Sequence, residues 1–227
     1  MFSIENSIFS SESPDTSMRL TSIILLSYHG SVSIYNSSVF NLKSINTGAI
    51  YIFLRIYSYI YLKGCDFSSN HGDKYSGDIL INFFSDTERE NYKFNNIENE
   101  VDMHIGIEDS SFFQSSGGLG GSITLLEEGI LHIRNCEFNS NSAIKGGAIY
   151  ASENTIISVF FCKFFNTSAV DLGGAIYSNS IEIKLFEVSV KNTSSSLGGF
   201  LYHEGVFIIV KSSVFEEIKA HYGGAFY

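Results

Sequence analysis

Cysteines 65, 136 and 162 are the first residues whose chemistry invites a reading, because each stands two positions before an aromatic residue. Cys136 and Cys162 are 26 residues apart. If the chain stacks with that period, their Cα atoms lie about 5 Å apart, within reach of a disulfide. The ordinary reading is a column of small buried hydrophobic side chains, continued by Ser110, Val188 and Ser213 at the same position, and it is the one preferred here. Three cysteines at no metal spacing make no zinc site.

Carboxylates are denser in one place. Asp86, Glu88, Glu90, Glu98, Glu100 and Asp102 flank a charged segment, and hard oxygen ligands of this kind bind Ca²⁺ when a loop folds them together. A solvated charged loop is the plainer expectation. The histidines are scattered: His29 and His71 each precede a glycine, while His104, His132, His203 and His221 fall at unrelated places. They read as exposed turn residues. Asn36, Asn166 and Asn192 open N-x-[ST] triplets, which a chain rich in Asn and Ser produces by chance. Ice-binding threonine arrays would need T-x-T in every coil, and the threonines are scattered. No catalytic, cofactor-binding or metal residue is assigned, and no cofactor is expected.

What would position any of these groups is a repeat. From Ile130 to Tyr227 one phrase is written four times. Its landmarks are an aromatic or valine at Phe138, Phe164, Val190 and Phe215, then a glycine pair at Gly146-Gly147, Gly173-Gly174, Gly198-Gly199 and Gly223-Gly224. A large apolar residue follows two positions later, at Ile149, Ile176, Leu201 and Phe226. Fixed landmarks at intervals of 26, 26 and 25 residues mark a repeat architecture. The residues are strand and turn formers, and the local alternation is two-fold, as in Leu131/Ile133 and Ile183/Leu185. The phase then slips near Asn135, Glu187 and Ser212, which reads as a corner. A coil of this length has room for about three short strands, and stacking at ~4.8 Å gives a parallel β-helix. Leucine-rich repeat spacing is missing.

The template runs back to the start. Phe9, Val39, Phe67 and Phe112 extend the aromatic column, which makes about eight coils of ~25 residues. Asn70, Ser115, Asn141, Thr167 and Thr193 stand three positions past it, a candidate polar ladder inside a turn. The glycine pairs mark a turn that needs positive φ or close approach of neighbouring coils. Residues 80–104 hold a surplus, read as a lateral loop or a degenerate extra coil. Otherwise residues 1–227 form a single all-β domain. The net charge of −10 and the absence of a basic run argue against nucleic acid or an anionic membrane as partner. The longest apolar stretch, 48–62, is too short to span a bilayer. No N-terminal charged-then-apolar signal is visible. No polar caps are visible either, so further coils or caps are expected at one or both ends.

Paired GGAI (146–149 and 173–176) and F-x-x-N (67–70 and 138–141) phrases resemble the repeats of chlamydial polymorphic outer membrane proteins. Similar repeats occur in surface proteins of ciliates and other protists, within the pectin-lyase-like right-handed parallel β-helix class. The resemblance covers almost the whole chain. It implies a secreted or cell-surface passenger, non-enzymatic, that binds protein or glycan ligands along its flank. The alternative it carries is a carbohydrate-active enzyme with residues 80–104 as a cleft wall. A lyase of that class needs an Arg or Lys base beside its carboxylates, and the region offers only Arg89 and Lys93. A polygalacturonase-like site would gather several Asp with a His and an Arg, and the strings that mark one are missing.

Overall fold

The structure is a computed structural model that describes residues 2–10, 23–27, 30–54, 58–83 and 104–227. Its strands pair in parallel, coil on coil, as a β-solenoid. The coil that begins at Gly129 shows the plan. Gly129–Arg134 forms the first wall, Glu137–Asn139 the second, Ser142–Lys145 the third and Ile149–Ala151 the fourth. Among the described residues, walls one and two count 8 strands each and walls three and four count 7, about seven full turns. The expected coil had three strands. A fourth exists because the chain bends once more after the aromatic, at the Ser140 position, before it reaches the glycine pair.

Single left-handed residues make the bends. Between walls one and two, Asn36, Gly64, Asp109, Asn135, Phe161, Glu187 and Ser212 all have φ between 47° and 64°. Between walls two and three the same role falls to Asn41, Ser69, Gln114, Ser140, Asn166, Asn192 and Glu217. Asn and Gly tolerate this conformation best. Phe161 is the least suited occupant, and the Arg134 guanidinium lies 5.4 Å from its ring.

The expected column of Phe9, Val39, Phe67, Phe112, Phe138, Phe164, Val190 and Phe215 is one line of directly paired residues along wall two. Phe67, Phe112, Phe138 and Phe164 stack with centroids 5.1, 4.7 and 4.9 Å apart and rings within 5° of parallel. Each such contact contributes roughly 0.5–1.5 kcal/mol beyond area burial. Where Val190 is too small to continue the stack, Phe200 swings into the interior from wall four. It takes the place that Ala148 and Ala175 hold in earlier coils, and meets Phe164 edge-on at 5.6 Å. The long step between Phe67 and Phe112 does not disturb the register. Ile60 pairs with Ile105, Phe67 with Phe112 and Ile79 with Ile123. Residues 84–103, which carry Asp86, Glu88, Arg89, Glu90, Lys93, Glu98, Glu100 and Asp102, lie outside the described residues, as does His29.

In the pairs at 146–147, 173–174 and 198–199 the two glycines do different work. Gly146, Gly173 and Gly198 turn the chain with φ of 62°, 65° and 62°. Gly147 and Gly174 sit where coils touch, and a Cβ there would fall 2.2 and 2.0 Å from the carbonyl oxygen of the matching glycine one coil on. No helix among the described residues is long and apolar enough to cross a membrane.

Candidate functional site

Wall three carries the most chemistry on its outer face. Parallel register puts Lys43, His71, Ser116, Ser142, Ser168, Ser194 and Lys219 in one outward column. Beside that column Gly117, Ala143 and Ala169 form a shallow floor, and Ile144 and Val170 stand up as an apolar rim. The result is an open trough of about 300 Å³ along the stack, lined on its other side by Ser116, Ser142 and Ser168.

At one end of the trough three polar side chains meet. His71 Nδ1 lies 2.7 Å from Ser116 Oγ, and His71 Nε2 lies 2.9 Å from Asp73 Oδ1. A carboxylate oxygen accepts, so Nε2 carries the imidazole proton and Nδ1 is left to accept from the serine hydroxyl. The backbone explains the placement. His71 and Ser116 are direct partners of adjacent strands. Asp73, Lys74 and Tyr75 donate their backbone N–H groups to Ser44, Ile45 and Asn46 of the preceding coil, which pins the turn that holds Asp73. Gly72 lets that turn fold back, since a Cβ there would meet Ser76 O at 2.1 Å. In sequence His71 stands as an isolated turn histidine. The signal that finds its partners was present: once Asn70 and Ser115 share a ladder position, His71 and Ser116 must be neighbours on the outside.

The ladder itself is interior. Asn70 Oδ1 accepts from Leu42 N at 2.9 Å and its amide donates to Val39 O at 2.9 Å. Asn141 repeats the pattern with Ser115 N and Phe112 O. Thr167 and Thr193 occupy the same line, but their hydroxyls are buried without a partner among the described residues. Ser115 is too short to fill the line, and Asp78 enters the gap from the position that is Ala49, Ala148 or Ala175 in other coils. Its Oδ1 accepts from Asn70 Nδ2 at 2.9 Å and from Ser115 Oγ at 2.7 Å. Among the described residues Oδ2 has no hydrogen-bond partner within bonding geometry, although the Ser122 hydroxyl of the next coil acts on the same carboxyl. Complete burial outweighs these donors and pushes Asp78 up to about 7.

The cysteines are free buried thiols. Cys136 and Cys162 donate to Arg134 O and Phe160 O, each at 3.2 Å, and Cys136 N donates to Cys162 Sγ at 3.5 Å. The hydrogen bond with Cys162, then burial, pushes the Cys136 thiol up. Burial does the same to Cys65. His203 is half-buried against Ser178, 3.2 Å from its hydroxyl, and burial lowers its pKa. His132 and His221 are exposed.

On wall four, Tyr150, Tyr177, Tyr202 and Tyr227 stack with centroids 4.8, 5.6 and 5.2 Å apart. Glu204 accepts from the Tyr177 and Tyr202 hydroxyls at 2.7 and 2.9 Å. Burial, then the Glu204 contact, raises both phenols. Rings stacked on one another present edges to solvent, so this ladder offers a sugar little open face.

These walls and columns define a parallel β-solenoid repeat protein. Comparison with protein-family models, curated proteins and solved structures finds no match to the chain.

Proposed function

We propose that the protein is a secreted or surface-displayed solenoid module that binds an extended protein or glycan along its flank, of the kind suggested by the likeness to polymorphic outer membrane protein repeats. The observation that supports this is the wall-three trough. It runs with the stack, offers hydroxyls at the coil spacing of ~4.8 Å on one side and an apolar rim on the other. A ligand with its own linear repeat makes many weak contacts there, and affinity accumulates from their number. Binding of this type needs no covalent chemistry, metal or cofactor. Glycan and peptide arrays test the reading with the whole chain, followed by titration of any hit against Ile144→Asp and Val170→Asp. Binding that falls at least tenfold in both variants supports it. Binding unchanged in both, or no hit on either array, removes the trough from consideration.

A further inference from the structure

We propose that Ser116, His71 and Asp73 form a nucleophilic relay that hydrolyses short-chain acyl esters at the end of the wall-three trough. This goes beyond the binding role and does not depend on it, because the relay stands on its own three contacts.

The arrangement has the parts such a reaction uses. A serine hydroxyl is a weak nucleophile until a base takes its proton in the transition state, and the base is effective when a third group fixes its tautomer. Asp73 fixes the ring from Nε2, and Nδ1 faces Ser116 Oγ at hydrogen-bond distance. The imidazole is therefore turned end for end relative to the usual serine-hydrolase geometry, with the roles of the two nitrogens exchanged and the chain of donors kept. The hydroxyl opens onto the trough that Ser116 lines. Ser142, next in the outward column, brings a second hydroxyl to about 4.8 Å along the stack, on the side away from His71. A side-chain hydroxyl of that kind donates to a developing oxyanion. Ile144 and Val170 supply the apolar wall that a short alkyl acyl group needs.

The steps balance as follows. Ser116 Oγ attacks the ester carbonyl carbon while His71 Nδ1 takes the hydroxyl proton, and the carbonyl oxygen becomes an oxyanion. The carbon–oxygen bond to the alcohol breaks, and that alcohol leaves with the proton from Nδ1, so Ser116 is acylated. Water then attacks the acyl carbon, giving a proton to Nδ1. Collapse releases the carboxylic acid and returns the proton to Ser116 Oγ. No metal, oxidant or cofactor enters the balance.

The full chain is treated with a fluorophosphonate probe, the modified residue is located by peptide mass, and hydrolysis of p-nitrophenyl acetate is measured alongside. Variants are Ser116→Ala, His71→Asn and Asp73→Asn, with Ser194→Ala as a same-column control and circular dichroism to confirm the fold of each. The expected result is one label per chain, on Ser116, lost in Ser116→Ala and kept in Ser194→Ala. Ester hydrolysis should fall roughly 100-fold or more in Ser116→Ala and His71→Asn, and less in Asp73→Asn. Labelling spread over several serines, no labelling, or hydrolysis that survives Ser116→Ala with the fold intact overturns the proposal and leaves the three contacts as a surface tie between coils.

Discussion

Substituting Asp78 by Asn should stabilise the protein at neutral and alkaline pH and leave it unchanged in acid. The carboxyl is wholly buried among Asn70, Ser115 and Ser122, and its pKa rises from 3.8 to about 7 on folding. His71 follows Asn70 in the chain but turns outward to Asp73, so among the described residues no cation faces the carboxyl to offset its charge. Below about pH 4 the acid is protonated in both states and costs nothing. Between about pH 4 and 7 the unfolded chain gives up the proton and the folded one keeps it, so stability falls by about 1.4 kcal/mol per pH unit. Above about pH 7 the whole cost is present, on the order of 4 kcal/mol. Asparagine has the same shape. Its Oδ1 can accept from Asn70 and Ser115, and its amide can donate to the Ser122 hydroxyl, which otherwise lacks a partner among the described residues. Urea denaturation of both proteins at pH 4, 6 and 8 isolates the effect, because every other carboxylate cancels in the difference. The advantage of Asp78→Asn should grow from near zero to several kcal/mol across the series. A difference that is flat with pH, or a variant less stable than the parent at pH 8, refutes the reasoning.

Four further substitutions test the stack. Phe138→Ala removes the middle of the ring column and should cost about 3–5 kcal/mol in urea unfolding. Gly147→Ala should abolish soluble folded protein, since its Cβ would lie 2.2 Å from Gly174 O. Gly224→Ala meets nothing within 4 Å and has a φ of 50°, so it should cost only the ~1–2 kcal/mol of the left-handed conformation. Equal stability of these two glycine variants would contradict the close approach of the coils. Thr167→Val replaces a buried hydroxyl that has no partner and should raise stability by about 1 kcal/mol. A loss of stability there would mean the hydroxyl is bonded in solution.

The solenoid was legible because stacking makes distant residues of like type into neighbours. Phe9, Val39, Phe67 and Phe112 could be placed in one column from text alone, and the pairing follows that line across every step. What the text did not show was the fourth strand of each coil, because Ser142–Lys145 and its equivalents are short, polar and without a two-fold pattern of their own. Compensations were hidden for a different reason. Phe200 and Asp78 break the alanine column of wall four, and each break makes sense only once the undersized Val190 or Ser115 across the interior is seen. His71 and Ser116 stand 45 residues apart in the chain, and only the shared ladder position of Asn70 and Ser115 marks them as neighbours in space.

The parallel register also fixes how the molecule answers a pull. All bonds between coils lie along the long axis, so tension applied at the two ends loads them one after another, as a zipper is opened, and not together in shear. Peak forces should be low. A coil of 26 residues drawn out at ~3.5 Å per residue yields roughly 85–90 Å of slack, while the stack shortens by only ~4.8 Å. Stretched in this way the chain pays out like thread from a spool, keeping the remaining turns wound while it lengthens.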